Sequence, residues 1–206
     1  MSVSSSSGSG DYAPKFAIDG KPNTRWSSNF YDTEWWQVKF AQPRTISGLK
    51  ILWETAFAEK YEIAVSDDGE QWKKVYDVAE GDGRTDFAFF KPVECRYLRI
   101  QCIQRGTGWG NSIYEVKFYG AEDAPKVSAA SAAEGGSADL ALDGDPATKW
   151  VSGADADQYL EVQLPEQVDL GGVELLWGED YATSYGVECS TDGHQWKKVF
   201  SESNGN

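Results

Sequence analysis

The sequence predicts an all-β protein, and two observations support that prediction. Short runs of alternating apolar and polar residues recur along the chain, among them WWQVKF, YEIAVS, QWKKVY and YEVKFYG. Each run is rich in aromatic and β-branched residues and is bounded by glycine, aspartate, proline or serine, and no segment keeps a helical period. Short, evenly spaced runs of this kind are typical of two antiparallel sheets packed face to face, so we expect a β-sandwich.

One hairpin can be placed from the residues that separate two of these runs. Asp68-Gly69 lies between YEIAVS and QWKKVY. An Asp-Gly pair between alternating strands is a strong hairpin signal, because glycine readily adopts the positive φ that a tight turn requires. Asp192-Gly193 stands in the same context later in the chain, so we expect a second hairpin of the same kind.

The chain contains two copies of one unit. AIDGKPNTRW at 17–26 returns as ALDGDPATKW at 141–150, and the offset of 124 residues (141 minus 17) then holds to the end of the sequence. We therefore divide the chain into a complete unit at 1–120, a short polar linker at 121–126 and a second unit at 127–206. Such a repeat takes precedence over other interpretations of the chain, because each copy has to form the same fold.

The second copy lacks a counterpart of residues 83–120, since Asn206 corresponds to position 82 (206 minus 124). In the first copy that segment is predicted to supply four core side chains, Leu98, Ile100, Val116 and Phe118. At roughly 1.5–3 kcal/mol each, they contribute about 6–12 kcal/mol, which is comparable with the stability of a whole domain. We expect strand complementation by another chain or docking of the second copy on the first; the alternative is a sequence that ends within a loop.

The charge and the apolar pattern exclude several classes of partner. The formal net charge is −14, from 33 acidic and 19 basic residues, which disfavours nucleic acid and anionic membrane surfaces. No stretch approaches the roughly 20 apolar residues of a membrane span. The first residues show neither the basic start nor the apolar run of a signal peptide, so a secretory leader would lie outside this sequence.

The cysteines, the histidine and the known catalytic motifs give no sign of a zinc site or an enzyme. Cys102 and Cys189 alternate with polar residues in the same way as their apolar neighbours, so we predict that both are small buried residues. The sequence contains no CxxC motif, and its only histidine, His194, lies in a predicted turn. The sequence contains no GxSxG motif, P-loop or dinucleotide fingerprint. The many carboxylates lie in turns or on the polar phase of strands, so we expect no catalysis.

A turn near the start of the chain could hold a metal ion. Asp19 and Thr24 lie five residues apart around Gly20 and Pro22. A carboxylate, a hydroxyl and several backbone carbonyls directed at one point form the oxygen-only cage that suits Ca²⁺. The alternative is an Asx-type turn without a metal.

The order of the motifs resembles a known family. AIDGKPNTRWSS, WWQVKF, WETAFAEKYEIAVSDDGEQW and YLRIQCIQRGTGWGNSIYEVKFYG together resemble a discoidin (F5/8 type C) domain, and more narrowly family 32 carbohydrate-binding modules. The resemblance implies a β-sandwich jelly roll similar to galactose-binding domains, complete in the first unit and partial in the second. It also implies non-catalytic carbohydrate binding and an extracellular, secreted location.

The same resemblance implies a structural calcium ion in the first unit. Its ligands would be the backbone carbonyls of Phe16, Lys21 and Tyr114 together with the side chains of Asp19, Thr24 and Glu115. In the second unit the near half of this set is present as Asp143, Asp145 and Thr148, but the counterpart of Glu115 would lie beyond Asn206.

The repeat separates structural aromatic residues from candidate ligand-binding ones. Trp26, Trp53, Tyr61 and Trp72 are identical in both copies, so we assign them to the fold. The residues that differ or have no counterpart lie in loops, and five of them match the ligand site of the family: Arg25, Phe30, Tyr31, Glu54 and Trp109. Aromatic rings stack on the apolar faces of sugars, while Arg and Glu side chains bind the hydroxyl groups. The alternative is that Phe30 and Tyr31 pack on the end of the sandwich and that Arg25 pairs with a nearby acid.

The sequence leaves two polysaccharide classes open. The resemblance favours modules that bind β-glucan or chitosan, and chitosan requires carboxylates beside its amines. Gly8 and Phe30 stand where those acids are expected, which favours a neutral glucan, although the charge of −14 would attract a cationic polymer. The alternative function is an extracellular adhesion module that binds a protein or glycoprotein partner.

Overall fold

The computed structural model describes residues 1–205, and its regular structure is almost entirely β. The strands are β1 (Ser2–Ser5), β2 (Trp26–Ser27), β3 (Trp35–Trp53), β4 (Ala58–Ser66), β5 (Lys73–Val78), β6 (Thr85–Arg105), β7 (Ser112–Tyr119), β8 (Lys126–Ala129), β9 (Leu160–Gln163), β10 (Tyr185–Cys189) and β11 (Lys197–Glu202). The helices in these residues are four short 3-10 segments, Gly10–Tyr12, Pro14–Ile18, Ala121–Asp123 and Ala138–Ala141. The prediction of an all-β fold is therefore confirmed.

Two long antiparallel strands connect the layers of the first repeat. β3 and β6 are 19 and 21 residues long, and the register between them shifts between Lys39 and Arg44 and again between Ile46 and Gly48. The first half of β3 pairs with β1 and the end of β6, whereas its second half pairs with β7 and the start of β6. β4 and β5 extend the first layer, and β2 extends the second. The sandwich is thus one sheet of seven strands bent over a common core.

The core lies between these layers and follows the alternation of the strands. Trp36 and Val38 of β3 and Leu98 and Ile100 of β6 are fully buried, and the second half of β3 contributes Ile51. Because successive strand residues point to opposite faces, alternate residues are buried in the segments 35–40 of β3 and 97–102 of β6. Of the four core side chains predicted from 83–120, Leu98, Ile100 and Val116 are buried and Phe118 is partly buried against the same cluster.

Three of the four aromatic residues that we assigned to the fold lie in the core, and the fourth lies on the surface of the sheet. Trp26, Trp53 and Tyr61 are buried. Trp72 lies partly exposed on the outer face, where the guanidinium of Arg99 is 4.0 Å from its ring centroid. Trp72 therefore contributes a cation–π contact on the surface of the sheet and is not part of the core.

The cysteine prediction is right at one position and wrong at the other. Cys102 is fully buried, and burial raises the pKa of its thiol. Cys189 is exposed, because β10 pairs only with β11 and nothing in the described chain covers that strand.

A half-buried carboxylate, that of Asp86, fixes two large aromatic side chains of the core. Asp86 Oδ2 accepts hydrogen bonds from Trp53 Nε1 at 2.7 Å and from the Tyr61 hydroxyl at 2.8 Å. The two rings meet edge to face with centroids 5.4 Å apart. Burial raises the pKa of Asp86 above its ordinary value, with these two hydrogen bonds acting in the opposite direction. One acceptor therefore satisfies both buried donors.

The predicted hairpin is present in both repeats, with a longer loop than two residues. β4 ends at Ser66 and β5 begins at Lys73, so the loop spans 67–72. Asp68 Oδ1 accepts from the backbone N–H groups of Glu70 and Gln71 at 2.7 and 2.8 Å. Asp192 makes the equivalent bonds in the second repeat.

The chain divides into two compact units, Met1–Gln163 and Leu164–Asn206. The first contains the complete sandwich and the two-stranded sheet β8–β9, which aligns with the β1–β3 pairing. This boundary lies inside the second repeat, whereas the division predicted from the repeat lies at 121–126; the repeat-based division stays a prediction.

The second unit is a two-stranded sheet, β10–β11, with a long irregular segment before it. Trp177 and Tyr185 keep the edge-to-face contact of the first repeat, with centroids 5.3 Å apart. Residues 172–177 align with the second half of β3 but form no strand, and Leu176 is 82% exposed. In the first repeat β6 lies between β3 and β4 and joins them into one sheet. Strand complementation and docking of this repeat stay predictions.

Replacing Asp86 with Ala should lower the free energy of unfolding by about 2–4 kcal/mol, because two buried donors lose their acceptor. Asp86→Asn keeps an acceptor oxygen and should cost less.

Since the folded pKa of Asp86 is raised, the stability it contributes is present below its unfolded pKa and lost as pH rises through the folded value. Denaturant unfolding across the acid range should therefore show the wild type losing stability relative to Asp86→Asn as pH rises. Equal pH profiles for both proteins would contradict this account.

Amides of β10–β11 should exchange with solvent at least about tenfold faster than those of β3 and β6, because an isolated two-stranded hairpin is marginal in water. Hydrogen–deuterium exchange with mass spectrometry compares both sheets in one experiment. Protection of residues 185–202 equal to that of the sandwich would show that another surface covers this hairpin, as complementation or docking requires.

Candidate functional site

Backbone hydrogen bonds gather three loops at one end of the sandwich. Ser28 N–H donates to Asn111 O at 2.8 Å, and Ser112 N–H donates to Ala56 O at 2.9 Å. A third bond runs from Gly106 N–H to Phe57 O at 2.9 Å. The loops at 28–34, 54–57 and 106–111 follow or precede strand ends, so the sheet pairing itself places them side by side.

Three of the predicted ligand-binding residues form an exposed aromatic patch, which we define as Phe30, Tyr31 and Trp109. Their side chains are 60%, 68% and 64% exposed. The Phe30 and Trp109 rings meet edge to face with centroids 5.8 Å apart. Asn111 Nδ2 donates to Tyr31 O at 3.3 Å, so the backbone of Tyr31 is tied to the loop that carries Trp109. Phe30 and Tyr31 are thus exposed side chains at this end of the sandwich, and their role in ligand binding stays a prediction.

Arg105 holds the patch in place and was not identified from the sequence. Its Nε donates to Asp32 Oδ1 at 2.8 Å and its Nη1 donates to Trp109 O at 3.1 Å. The hydrogen bonds from Arg105 lower the pKa of Asp32. One guanidinium therefore links the Phe30/Tyr31 loop to the Trp109 loop. An Arg at the end of a strand, next to a Gly-rich loop, is the only sequence signal for this role.

Arg25 stacks on a ring instead of pairing with an acid. Its guanidinium carbon lies 4.8 Å from the centroid of Tyr12. Arg25 Nε and Asn111 Oδ1 are buried and have no hydrogen-bond partner within residues 1–205. Buried polar atoms are nearly always satisfied by protein, water or ligand. Asn111, which the sequence did not single out, is fully buried, and its side-chain amide ties the Trp109 loop to Tyr31 O.

Glu54 lies at a separate concavity of about 400 Å³ beside the aromatic patch, which we call the Glu54 cleft. Its lining residues are Trp53, Glu54, Thr55, Phe57, Asp82, Gly83, Arg84 and Tyr114. Glu54 Oε2 accepts from Ala56 N–H at 3.0 Å, and Glu54 N–H donates to Ser112 O at 3.0 Å. The structure thus brings Phe30, Tyr31 and Trp109 together and places Glu54 in the neighbouring cleft.

The turn predicted to hold calcium is an ordered cluster of oxygen atoms. The Thr24 hydroxyl donates to both carboxylate oxygens of Asp19, at 2.8 and 2.9 Å, and Gly20 N–H donates to Glu115 Oε2 at 3.1 Å. Burial raises the pKa of Glu115, the hydrogen bond from Gly20 acts in the opposite direction, and the negative charge of Asp19 adds a smaller increase. The calcium site itself stays a prediction.

The second repeat forms the same turn without the distal acid. The Thr148 hydroxyl oxygen lies 2.9 and 2.8 Å from the two carboxylate oxygens of Asp143 and 2.9 Å from Asp145 O, so its one proton has three acceptors within reach. The agreement with the first repeat shows that the local sequence alone fixes this geometry.

Residues 1–205 contain no group of three or more His, Cys, Asp or Glu side chains that could hold a metal ion. A calcium ion at Asp19 and Glu115 would therefore depend on the Thr24 hydroxyl and on backbone carbonyls. No helix in this range has the length and apolarity needed to cross a membrane.

The chain matches one protein family along nearly its whole length. The model of the F5/8 type C domain matches residues 2–116 and again residues 126–206. A 67-residue stretch is 36% identical to the polysaccharide lyase 8 family protein HylA of Enterococcus faecalis (strain ATCC 700802 / V583). That match covers 32% of this chain and 5% of the length of the lyase.

Solved structures with the same fold are carbohydrate-binding modules. Chitosan-binding module 1 of a chitosanase/glucanase from Paenibacillus sp. IK-5 is 34% identical, with a TM-score of 0.56 over 58% of this chain and 94% of that one. Module 2 of that enzyme, in complex with chitotriose, is 30% identical, with a TM-score of 0.56 over 58% and 95%. The family 32 module of C. perfringens NanJ, in complex with galactose, is 25% identical, with a TM-score of 0.52 over 57% and 91%.

Replacing Arg105 with Gln should return the pKa of Asp32 towards the ordinary value of about 3.9, because the hydrogen bonds that lower it are lost. NMR titration of the side-chain carboxyl carbons measures this directly. Asp68 serves as the control within the same protein, since backbone N–H groups lower its pKa and Arg105 does not contact it. An unchanged Asp32 titration in the variant would show that Arg105 does not hold this loop.

Proposed function

Because the chain belongs to the F5/8 type C domain family, we propose that its first repeat binds a polysaccharide or oligosaccharide through the aromatic patch. Domains of this family with the present fold include non-catalytic carbohydrate-binding modules. The observation that carries the proposal is the exposure of Phe30, Tyr31 and Trp109 on one rim, at 60%, 68% and 64%. Exposed aromatic surface of this kind marks an interaction site.

The chemistry of the patch suits a sugar ring. Trp109 and Phe30 are held edge to face, so at least one ring face is free to stack on the apolar C–H face of a sugar. Arg25 and Glu54 would donate to and accept from hydroxyl groups of the bound sugar.

Two polysaccharide classes remain in the proposal, β-glucan-type and chitosan-type. The chitosan-binding modules of Paenibacillus sp. IK-5 support the second, at 34% and 30% identity. Gly8 and Phe30, at positions where acids would contact an amine, support the first. We further propose that the chain has no catalytic activity of its own and acts outside the cell, as appendages of glycan-active enzymes do.

A second candidate function is extracellular adhesion, in which the same patch binds a protein or glycoprotein partner. Phe30, Tyr31 and Trp109 are residue types that are enriched at protein interfaces. A glycan screen separates the two functions, because retention by a protein partner together with no retention by any glycan would favour adhesion.

We propose that a structural calcium ion joins the Asp19 turn to the last strand of the first repeat. Asp19, Thr24 and Glu115 would be its side-chain ligands, and Phe16, Lys21 and Tyr114 would supply carbonyls. The support is geometric: Gly20, the neighbour of Asp19, donates its N–H to Glu115 Oε2 at 3.1 Å, so the turn and the acid of the last strand lie together. An ion there would tie the 3-10 segment Pro14–Ile18 to β7.

Replacing Trp109 with Ala should weaken binding about 10- to 100-fold, since a stacked indole contributes roughly 1.4–3 kcal/mol. Affinity electrophoresis in gels that contain soluble β-glucan or chitosan measures the change. Trp196→Ala is the matched control, because Trp196 is also exposed, at 43%, but lies in the second repeat. Retention of Trp109→Ala equal to wild type would exclude the aromatic patch, and release of reducing sugar by the chain would exclude a purely binding role.

Calcium at about 100 times its Kd should stabilise the protein by about 2.7 kcal/mol and raise its Tm by roughly 5–10 °C. Glu115→Gln should lose this response, because it removes one carboxylate while keeping the shape of the side chain. Thermal unfolding with added calcium and with a chelator measures both proteins. Equal Tm values for the wild type in the two conditions would exclude the site.

A further inference from the structure

A serine near the start of the chain holds the backbone next to Phe30. The Ser7 hydroxyl accepts the N–H of Asn29 at 2.8 Å, and the Ser7 carbonyl accepts Trp26 Nε1 at 2.9 Å. Trp26 is fully buried, so its indole fixes Ser7 relative to the core. These two hydrogen bonds, which we call the Ser7 brace, connect the core to the residue that directly precedes Phe30.

Gly8 brings this segment close to the strand that leads into the Phe30 loop. Its φ of +99° lies in the region that favours glycine. A Cβ added to Gly8 would lie 2.6 Å from Ser27 O and 2.9 Å from Trp26 Nε1. Residues 7 and 8 therefore lie in close backbone contact with β2.

Ser28 holds the same loop from the other side. The hydroxyl of this buried residue accepts Asn111 N–H at 2.8 Å and donates to Asn29 O at 2.6 Å. A Cβ added to Gly110 would lie 2.7 Å from both Ser28 O and Asn29 O, so the two loops touch backbone to backbone. Asn29 is thus held twice, by Ser7 at its N–H and by Ser28 at its carbonyl.

These backbone contacts determine how Phe30 meets Trp109. Both side chains are mostly exposed, so their edge-to-face contact, with centroids 5.8 Å apart, depends on the backbones that carry them. Phe30 directly follows Asn29, and Trp109 directly precedes Gly110. A shift of the Asn29 backbone would therefore move one ring relative to the other.

The second repeat forms the same brace without the aromatic ring. Ser131 aligns with Ser7; its hydroxyl accepts Gly153 N–H at 2.8 Å, and its carbonyl accepts Trp150 Nε1 at 3.0 Å. The residue after Gly153 is an alanine, where the first repeat has Phe30. The brace is thus a local feature of both repeats, but only in the first does it stand beside an exposed ring.

We propose that Ser7 is a positioning residue for the aromatic patch: its hydroxyl holds Asn29 so that Phe30 meets Trp109 edge to face before a ligand binds. The proposal rests on the carbohydrate-binding function of the first repeat and adds a residue outside the patch itself. Preorganisation of this kind lowers the entropic cost of ordering two exposed rings on binding. It also gives a role to the serine-rich start of the chain, whose composition is that of a flexible linker.

Ser7→Ala should weaken binding of the soluble β-glucan or chitosan that retains the wild type about three- to fivefold, which corresponds to roughly 0.7–1 kcal/mol for one lost hydrogen bond. Ser7→Thr keeps the hydroxyl and should bind as the wild type does. Ser131→Ala is the matched control, because it removes the same hydrogen bond beside a loop that lacks the aromatic ring. Affinity electrophoresis gives each Kd.

A measurement without ligand separates positioning from a general loss of stability. In protein labelled with fluorotryptophan, the fluorine NMR signal of Trp109 is the one that disappears in Trp109→Phe, and Phe30→Ala defines its position without the neighbouring ring. Ser7→Ala should move the Trp109 signal towards that position, whereas Ser7→Thr and Ser131→Ala should leave it unchanged.

Three outcomes would overturn the proposal. An unchanged Trp109 signal in Ser7→Ala would show that the ring contact does not depend on the hydroxyl, even with weaker binding. Equal effects of Ser7→Thr and Ser7→Ala would show that the hydroxyl is not the cause. A shifted signal with unchanged binding would show that the ring contact is not needed for the ligand. If the wild type binds no glycan, the proposed function itself fails, and the fluorine signal alone then supports or overturns the role of Ser7 in setting the ring contact.

Discussion

The antiparallel pairing of β3 with β6 is the interaction on which the rest of this structure depends. Both strands run through the two layers of the sandwich, and their register shifts mark the places where they bend. β4 joins the molecule only through β6, and β7 joins it through β3. The core residues Trp36, Ile51 and Leu98 lie on these two strands. The sandwich therefore closes only when a strand equivalent to β6 is present.

The second repeat keeps several local features of the first. Its strands align with β1, β3, β4 and β5, and its Trp177–Tyr185 contact reproduces that of Trp53 and Tyr61. Among the described residues these strands form two two-stranded sheets, and apolar side chains such as Leu176 are exposed. The edge-to-face contact is therefore present without the packed core that surrounds it in the first repeat.

The loops of the candidate site are brought together by the same strand pairing. The strands that close the core also end beside one another, which brings together the loops at 28–34, 54–57 and 106–111. Arg105 at the end of β6 then fixes both the Asp32 loop and the Trp109 loop. The aromatic patch and the Glu54 cleft are thus consequences of sheet pairing combined with a few polar contacts at the strand ends.

The sequence by itself determined the local features of this protein. Alternation identified the strands, the Asp-Gly pairs identified two hairpins, and the Asp19–Thr24 turn has the same geometry in both repeats because its hydrogen bonds lie within a few residues. The repeat also separated the shared core residues Trp26, Trp53 and Tyr61 from Phe30, Tyr31 and Trp109. Only the tertiary structure decided the contacts between distant segments, including the link of Arg105 to Asp32 and that of Asn111 to Tyr31. The physical reason is that sheet register and bends place residues 73 and 80 positions apart side by side, which no local pattern encodes.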